Sequence, residues 1–146
     1  MSKRAIEFFI VDILIACDKI KRYSEDFSNG DELLHDEKSF DAVMRELQII
    51  GEATKQLIKD NILSDEYRII VDFRNLIVHE YFGIDSDEIW GIISNDLLEF
   101  KSIVRSLLLS SKDTNLLNEI INFAIEDFKY SKDTVKFLDN LLNEIK

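Results

Sequence analysis

The sequence predicts an all-α protein, an antiparallel four-helix bundle carrying an additional C-terminal helical segment. Three observations point there. The 146 residues include no proline and only four glycines, so almost nothing interrupts the backbone hydrogen-bond pattern that long helices require. Apolar residues recur every three or four positions, most clearly from Phe40 to Ile58. The connections between the runs are short, which favours antiparallel neighbours.

The elements follow in order. From about Lys3 to Tyr23 the pattern is helical, with Phe8, Val11, Ile15 and Cys17 among apolar residues spread over much of the circumference, as in a helix covered on several sides. Ser24 to Asp36, containing Asn29-Gly30, is polar enough to be a loop. Phe40, Val43, Met44, Leu47, Ile50, Thr54, Leu57 and Ile58 then mark a strongly amphipathic second helix. Ser64 is placed to cap a third, with Asp65 and Glu66 in its first turn and Tyr67, Ile70, Val71, Ile77 and Val78 along it. Gly83 offers a left-handed stop, and Asp85 with Glu88 resembles a capping box for a fourth helix that buries Ile89, Ile93, Leu97, Phe100, Val104 and Leu107. Two further helices are expected, one carrying Leu116-Leu117, Ile120-Ile121, Ala124-Ile125 and Phe128, the other, after Ser131, carrying Val135, Leu138, Leu141, Leu142 and Ile145. With no repeat, low-complexity tract or long linker, residues 1–110 read as the bundle and 111–146 as a helical extension packed on the same domain.

Composition narrows the function classes. Hydrophobic residues at 46% with charged residues at 32% exclude a disordered tail, and no stretch approaches the roughly 20 apolar residues of a membrane span. Lys3 and Arg4 before Phe8-Phe9-Ile10-Val11 imitate a signal peptide, but Glu7 and Asp12 interrupt the run, so it reads as a buried first helix. Cys17 is the one cysteine, which excludes an internal disulfide or a zinc site built on several thiolates and suits a reducing cytoplasm. The net charge of -11 opposes general binding of nucleic acid and predicts weak, salt-sensitive contact with bulk RNA. A few arginines in a cleft can still hold one phosphate.

His35 lies in the acidic stretch Asp31 to Glu37 and reads as a solvated loop histidine. His79 stands beside Arg74, Asn75, Glu80 and Tyr81 at the end of a helix. A cation for a phosphate, with a group that exchanges protons near neutral pH, suits phosphate-ester chemistry; the alternative for such a pattern taken alone is surface decoration or a packing network. Residues five apart on an ideal helix are separated by about 140°, so Arg74 and His79 do not share a face, whereas Arg74 and Tyr81 nearly do, at about 20°. Pairing two such helices about a two-fold axis would gather these splayed groups into one cleft, which makes a homodimer, or a higher even oligomer, part of the site.

The run Phe73-Arg74-Asn75-Leu76-Ile77-Val78-His79-Glu80-Tyr81-Phe82-Gly83-Ile84-Asp85 resembles the signature segment of the HepT family in the HEPN superfamily. Residues 42–53, from Ala42 through Arg45-Glu46 to Gly51-Glu52-Ala53, resemble that family's second-helix motif, and Ile89-Trp90 through Asn95-Asp96-Leu97 its following helix. The resemblance covers roughly residues 5 to 108 and implies a dimeric bundle that cleaves RNA, rather than DNA, without metal or cofactor. It implies Arg74 and His79 as the nuclease pair, Asn75 as their support, and Tyr81 as the tyrosine to which an MntA-like nucleotidyltransferase antitoxin attaches AMP. The connection before the third helix lacks the proline and tryptophan often found there, and the chain beyond about Ser110 lies outside the likeness. A non-catalytic subunit that binds nucleotide or substrate for a nucleotidyltransferase would use the same bundle and fits the acidic balance; a helical interaction module without a site would leave the polar cluster unexplained.

Overall fold

A computed structural model describes residues 5–72 and 85–145, and among them every regular element is helical, as the sequence predicts. The helices are α1 (Ile6–Ser24), α2 (Gly30–His35), α3 (Glu37–Lys59), α4 (Ser86–Gly91), α5 (Leu97–Leu109), α6 (Thr114–Asp127) and α7 (Lys132–Ile145). A 3-10 turn, Asp65–Tyr67, leads into helical residues 68–72. A π-helical segment, Ile92–Asp96, joins α4 to α5.

Helix α1 is the central element. It buries Ile10, Val11, Ile13, Leu14, Ile15, Ala16, Cys17 and Ile20, residues that occupy most of its circumference, because α3, α5, α6 and α7 all pack against it. Helix α3 shows the opposite economy, with one stripe buried from Phe40 through Val43, Leu47, Ile50 and Leu57. Thr54 belongs to that stripe because its hydroxyl donates to the Ile50 carbonyl at 2.7 Å, which removes the cost of burying it. The helix ends without glycine: Asn61 takes φ 60, the Ile62 N–H reaches the Leu57 carbonyl at 2.9 Å and the Asn61 N–H the Ile58 carbonyl at 3.0 Å, a Schellman closure.

The stretch from Ser24 to Asp36, expected as a loop, contains α2. Asn29 does not open a tight turn there but caps a helix, its side chain accepting from the Glu32 N–H at 2.9 Å while the Glu32 carboxylate accepts from the Ser28 N–H at 2.7 Å. Burial of Leu33 supplies the packing that a six-residue helix needs.

Two local expectations are corrected. Ser64 precedes a 3-10 turn and makes no side-chain cap, its hydroxyl donating instead to Glu66 Oε1 at 3.0 Å. In the helical run that starts at Ser86, Ile92 and Leu108 are buried in place of Ile93 and Leu107, which are only partly covered. The π segment explains the first change. Ile92 and Leu97 are five residues apart and would diverge by about 140° on an α-helix, but the wider i→i+5 turn brings both to the core.

The C-terminal pair α6 and α7 packs on itself and on α1, and Leu117, Ile120, Ile121, Leu138 and Leu141 join the same apolar core as α1 and α3. Arg22 ties this pair down. Its guanidinium donates to Asp18 on its own helix and to the hydroxyl of buried Thr134 on α7, both at 3.0 Å. An Arg105–Glu144 pair links α5 to the end of α7.

Candidate functional site

Arg74, Asn75, His79, Tyr81 and the Gly83 stop lie outside the described residues, as do Ile77 and Val78. The described chain on either side of them is anchored. On the N-terminal side Ile70 and Val71 are buried, and beside them Tyr67, Phe100 and Ile103 line a groove of about 210 Å³ rimmed by Glu66, Asp96 and Glu99. On the C-terminal side Asp85 begins α4, its Oδ1 accepting from the N–H groups of Asp87 at 3.0 Å and Glu88 at 3.3 Å, the half of the capping box that the sequence predicts for Asp85.

The start of α4 is held by α2. Gly30 approaches so closely that a Cβ there would lie 2.0 Å from the Ser86 carbonyl oxygen and 3.1 Å from the Trp90 Cβ. Glycine is needed here for space, since its φ is not in the left-handed range.

A second feature lies on α1, α3 and the corner between α6 and α7. Phe9, Lys19, Arg45, Glu46, Phe128 and Tyr130 line an open cleft of about 620 Å³. Glu46 is 5% exposed, and no hydrogen bond or ion pair to its carboxyl occurs among the described residues. Burial pushes its pKa up, against the opposing charges of Lys19, Arg45 and Arg22. Tyr23, also pushed up by burial and then by Glu46, stands close by. The Lys19 ammonium lies 4.6 Å from the centre of the Phe128 ring, whose own partner is Tyr130 at 5.9 Å. Sequence reasoning gave Glu46 no role. Its signal was present nonetheless, as a charged residue on the apolar stripe of α3, three positions after Val43 and four before Ile50.

His35 is exposed, as expected, but it ends α2 instead of lying in a loop, with Nδ1 2.7 Å from the Asp31 carbonyl. Cys17 is buried and its thiol is pushed up to about 12 by that burial. Among the described residues no group of three or more His, Cys, Asp or Glu is placed to hold a metal ion, and no helix is long and apolar enough to cross a membrane.

Comparison with known proteins gives the family. The family profile described as "Ribonuclease HepT-like" matches residues 13–107, a span that includes Arg74 to Tyr81 and stops before α6. "Putative RNase MJ1380" of Methanocaldococcus jannaschii is 31% identical over 107 residues, covering 71% of this chain and 97% of the relative. "Putative RNase MJ0127" of the same organism is 33% identical over 114 residues, covering 73% and 93%. "Probable ribonuclease HepT" of Thermococcus cleftensis is 32% identical over 102 residues, covering 68% and 92%. No solved structure gives a significant match.

Proposed function

Because the chain belongs to the HepT-like ribonuclease family, we propose that it is a metal-independent RNA endonuclease, the toxin of a type VII toxin-antitoxin system. The observation that carries this reading is the coincidence of that match with the Arg74-x4-His79-x-Tyr81 pattern inside it.

The chemistry needs few groups. A base accepts the proton of the RNA 2′-OH, the oxygen attacks the adjacent phosphorus, and the bond to the 5′ oxygen breaks as an acid protonates it. The products are a 2′,3′-cyclic phosphate and a 5′-OH. Arg74 holds the phosphate oxygens and steadies the charge that builds in the transition state, a task suited to its rigid bidentate fork. His79 moves the proton, and a homodimer supplies two copies, one for each transfer. Asn75 supports the pair. Cationic contact made locally, by a few arginines, reconciles an RNA substrate with a chain of net charge -11.

The same reading gives the control. A nucleotidyltransferase antitoxin joins AMP from ATP to the Tyr81 hydroxyl and releases pyrophosphate. The added phosphodiester is negative and competes for Arg74, and the nucleotide blocks access. The non-catalytic docking subunit keeps one observation in its favour, the acidic balance, and the decisive assay separates the two. Protein purified free of its partner is expected to cut RNA in the presence of EDTA, with His79→Ala and Arg74→Ala each reducing cleavage by about 10²-fold or more while leaving the helical circular dichroism unchanged. Cleavage that chelation stops and magnesium or manganese restores refutes the mechanism; no cleavage by the wild type favours the docking subunit.

A further inference from the structure

We propose that the cleft on α1, α3 and the α6–α7 corner binds a guanine base, with the Glu46 carboxylate accepting from the two adjacent N–H groups of its Watson–Crick edge. This adds a recognition site to the ribonuclease reading, on which it rests only for the supply of RNA; the binding itself is measured without cleavage.

Glu46 is costly where it stands. Glu46 is 5% exposed as a residue and its carboxyl has no hydrogen-bond partner among the described residues, an arrangement that is destabilising and that a ligand with suitable donors would relieve. What it lacks is donors rather than charge, because Lys19, Arg45 and Arg22 already act on it electrostatically. Two cations, Lys19 and Arg45, line the cleft beside Glu46, and the carboxylates of Asp12, Glu52 and Asp127 line it as well. A neutral, planar group with two parallel N–H donors satisfies both carboxylate oxygens without adding charge, and guanine presents this edge through its N1–H and N2–H. Adenine, cytosine and uracil do not present two such adjacent donors.

The remaining walls suit a flat ring. Phe9, Ile15, Ile49 and Phe128 supply apolar surface, and Tyr130, 77% exposed beside Phe128, offers a ring at the mouth on which a base or its sugar can rest. The cleft of about 620 Å³ lies within the usual range of small-ligand pockets, about 300–1,000 Å³. Arg45 is exposed at the cleft and makes no ion pair among the described residues, so its guanidinium is available to the phosphate on the sugar of a bound nucleotide.

The test is calorimetric titration of the full chain with GMP, AMP, CMP and UMP, and with guanosine. GMP is expected to bind at one site per chain, at least 10-fold tighter than the other three nucleotides. Glu46→Gln replaces one acceptor oxygen by a donor and should weaken GMP by about 10–100-fold, the range for a hydrogen bond to a charged group. Because Glu46 is buried without a partner, the same variant should melt no lower than wild type, which separates lost recognition from lost folding. Arg45→Ala should weaken GMP more than guanosine. Displacement of GMP by a 2′-O-methyl oligonucleotide with a single guanine assigns the site to RNA, and failure to displace assigns it to a free nucleotide; both keep the guanine reading. It is overturned by no GMP binding at millimolar concentration, by equal binding of all four nucleotides, by unchanged binding in Glu46→Gln, or by displacement of GMP with arginine amide, which would mark a cation site.

Discussion

Replacing Gly30 by alanine should unfold this protein more readily than any change of one methyl group at its surface. The new Cβ would stand 2.0 Å from the Ser86 carbonyl oxygen and 2.6 Å from its carbon, both backbone atoms of α4, and 3.1 Å from the Trp90 Cβ. An unstrained carbon–oxygen contact needs about 3.3 Å, so α2 and α4 must separate by roughly 1.3 Å, and neither neighbour is a flexible side-chain end that can swing away. Overpacking of this kind costs about 1–3 kcal/mol, and rigid backbone on both sides places it at the upper end. At about 2–4 °C per kcal/mol for a chain of this size, a cost of about 3 kcal/mol lowers the melting temperature by roughly 6–12 °C. Gly91 is the control. Nothing lies within 4 Å of a Cβ there, so Gly91→Ala carries only the helix-propensity gain of about 0.5–1 kcal/mol and should melt at or above wild type. Thermal unfolding followed by circular dichroism, with urea melts as a second measure, reads both. A Gly30→Ala melting point within a degree or two of wild type, or equal losses in the two variants, refutes the close-approach argument.

Three further outcomes are expected. Glu46 has its folded-state pKa raised above the unfolded value by burial, so its favourable contribution is complete at pH below the unfolded pKa and is lost as pH rises through the folded one; the advantage in melting temperature of Glu46→Gln over wild type should therefore grow from acid toward neutral pH, and a constant difference counts against the unpaired buried carboxyl. Cys17, with its thiol pushed up to about 12, should react with a thiol reagent only when urea exposes it, and Cys17→Ala should leave cleavage nearly unchanged; rapid labelling of the native protein would contradict its buried placement. Tyr81→Phe should keep the helical fold and escape the antitoxin, so intact-mass spectrometry after co-expression should show AMP additions on wild type and none on the variant, and additions that persist would move the modification to another residue.

The lines along which sequence and structure agree, and those along which they part, follow from the range of the interactions. The amphipathic stripe of α3, the Asp85 cap and the all-helical class are decided within one or two turns of chain, by periodicity, by the absence of proline and by a carboxylate two or three residues from the N–H groups it receives. The Arg74 to Tyr81 cluster is a reading of one contiguous segment inside the family match, and it lies outside the described residues. Contacts distant in sequence decided the rest. Asn29-Gly30 is a turn signal until Leu33 finds the core and Gly30 meets Ser86, which turns the same residues into a packed helix. The π segment lets Ile92 and Leu97 both face the core, a placement that no local pattern announces. Glu46 looks like a surface charge misplaced on an apolar stripe until α1 and the 127–130 corner close around it, because burial is a property of everything that surrounds a side chain and not of the helix that carries it.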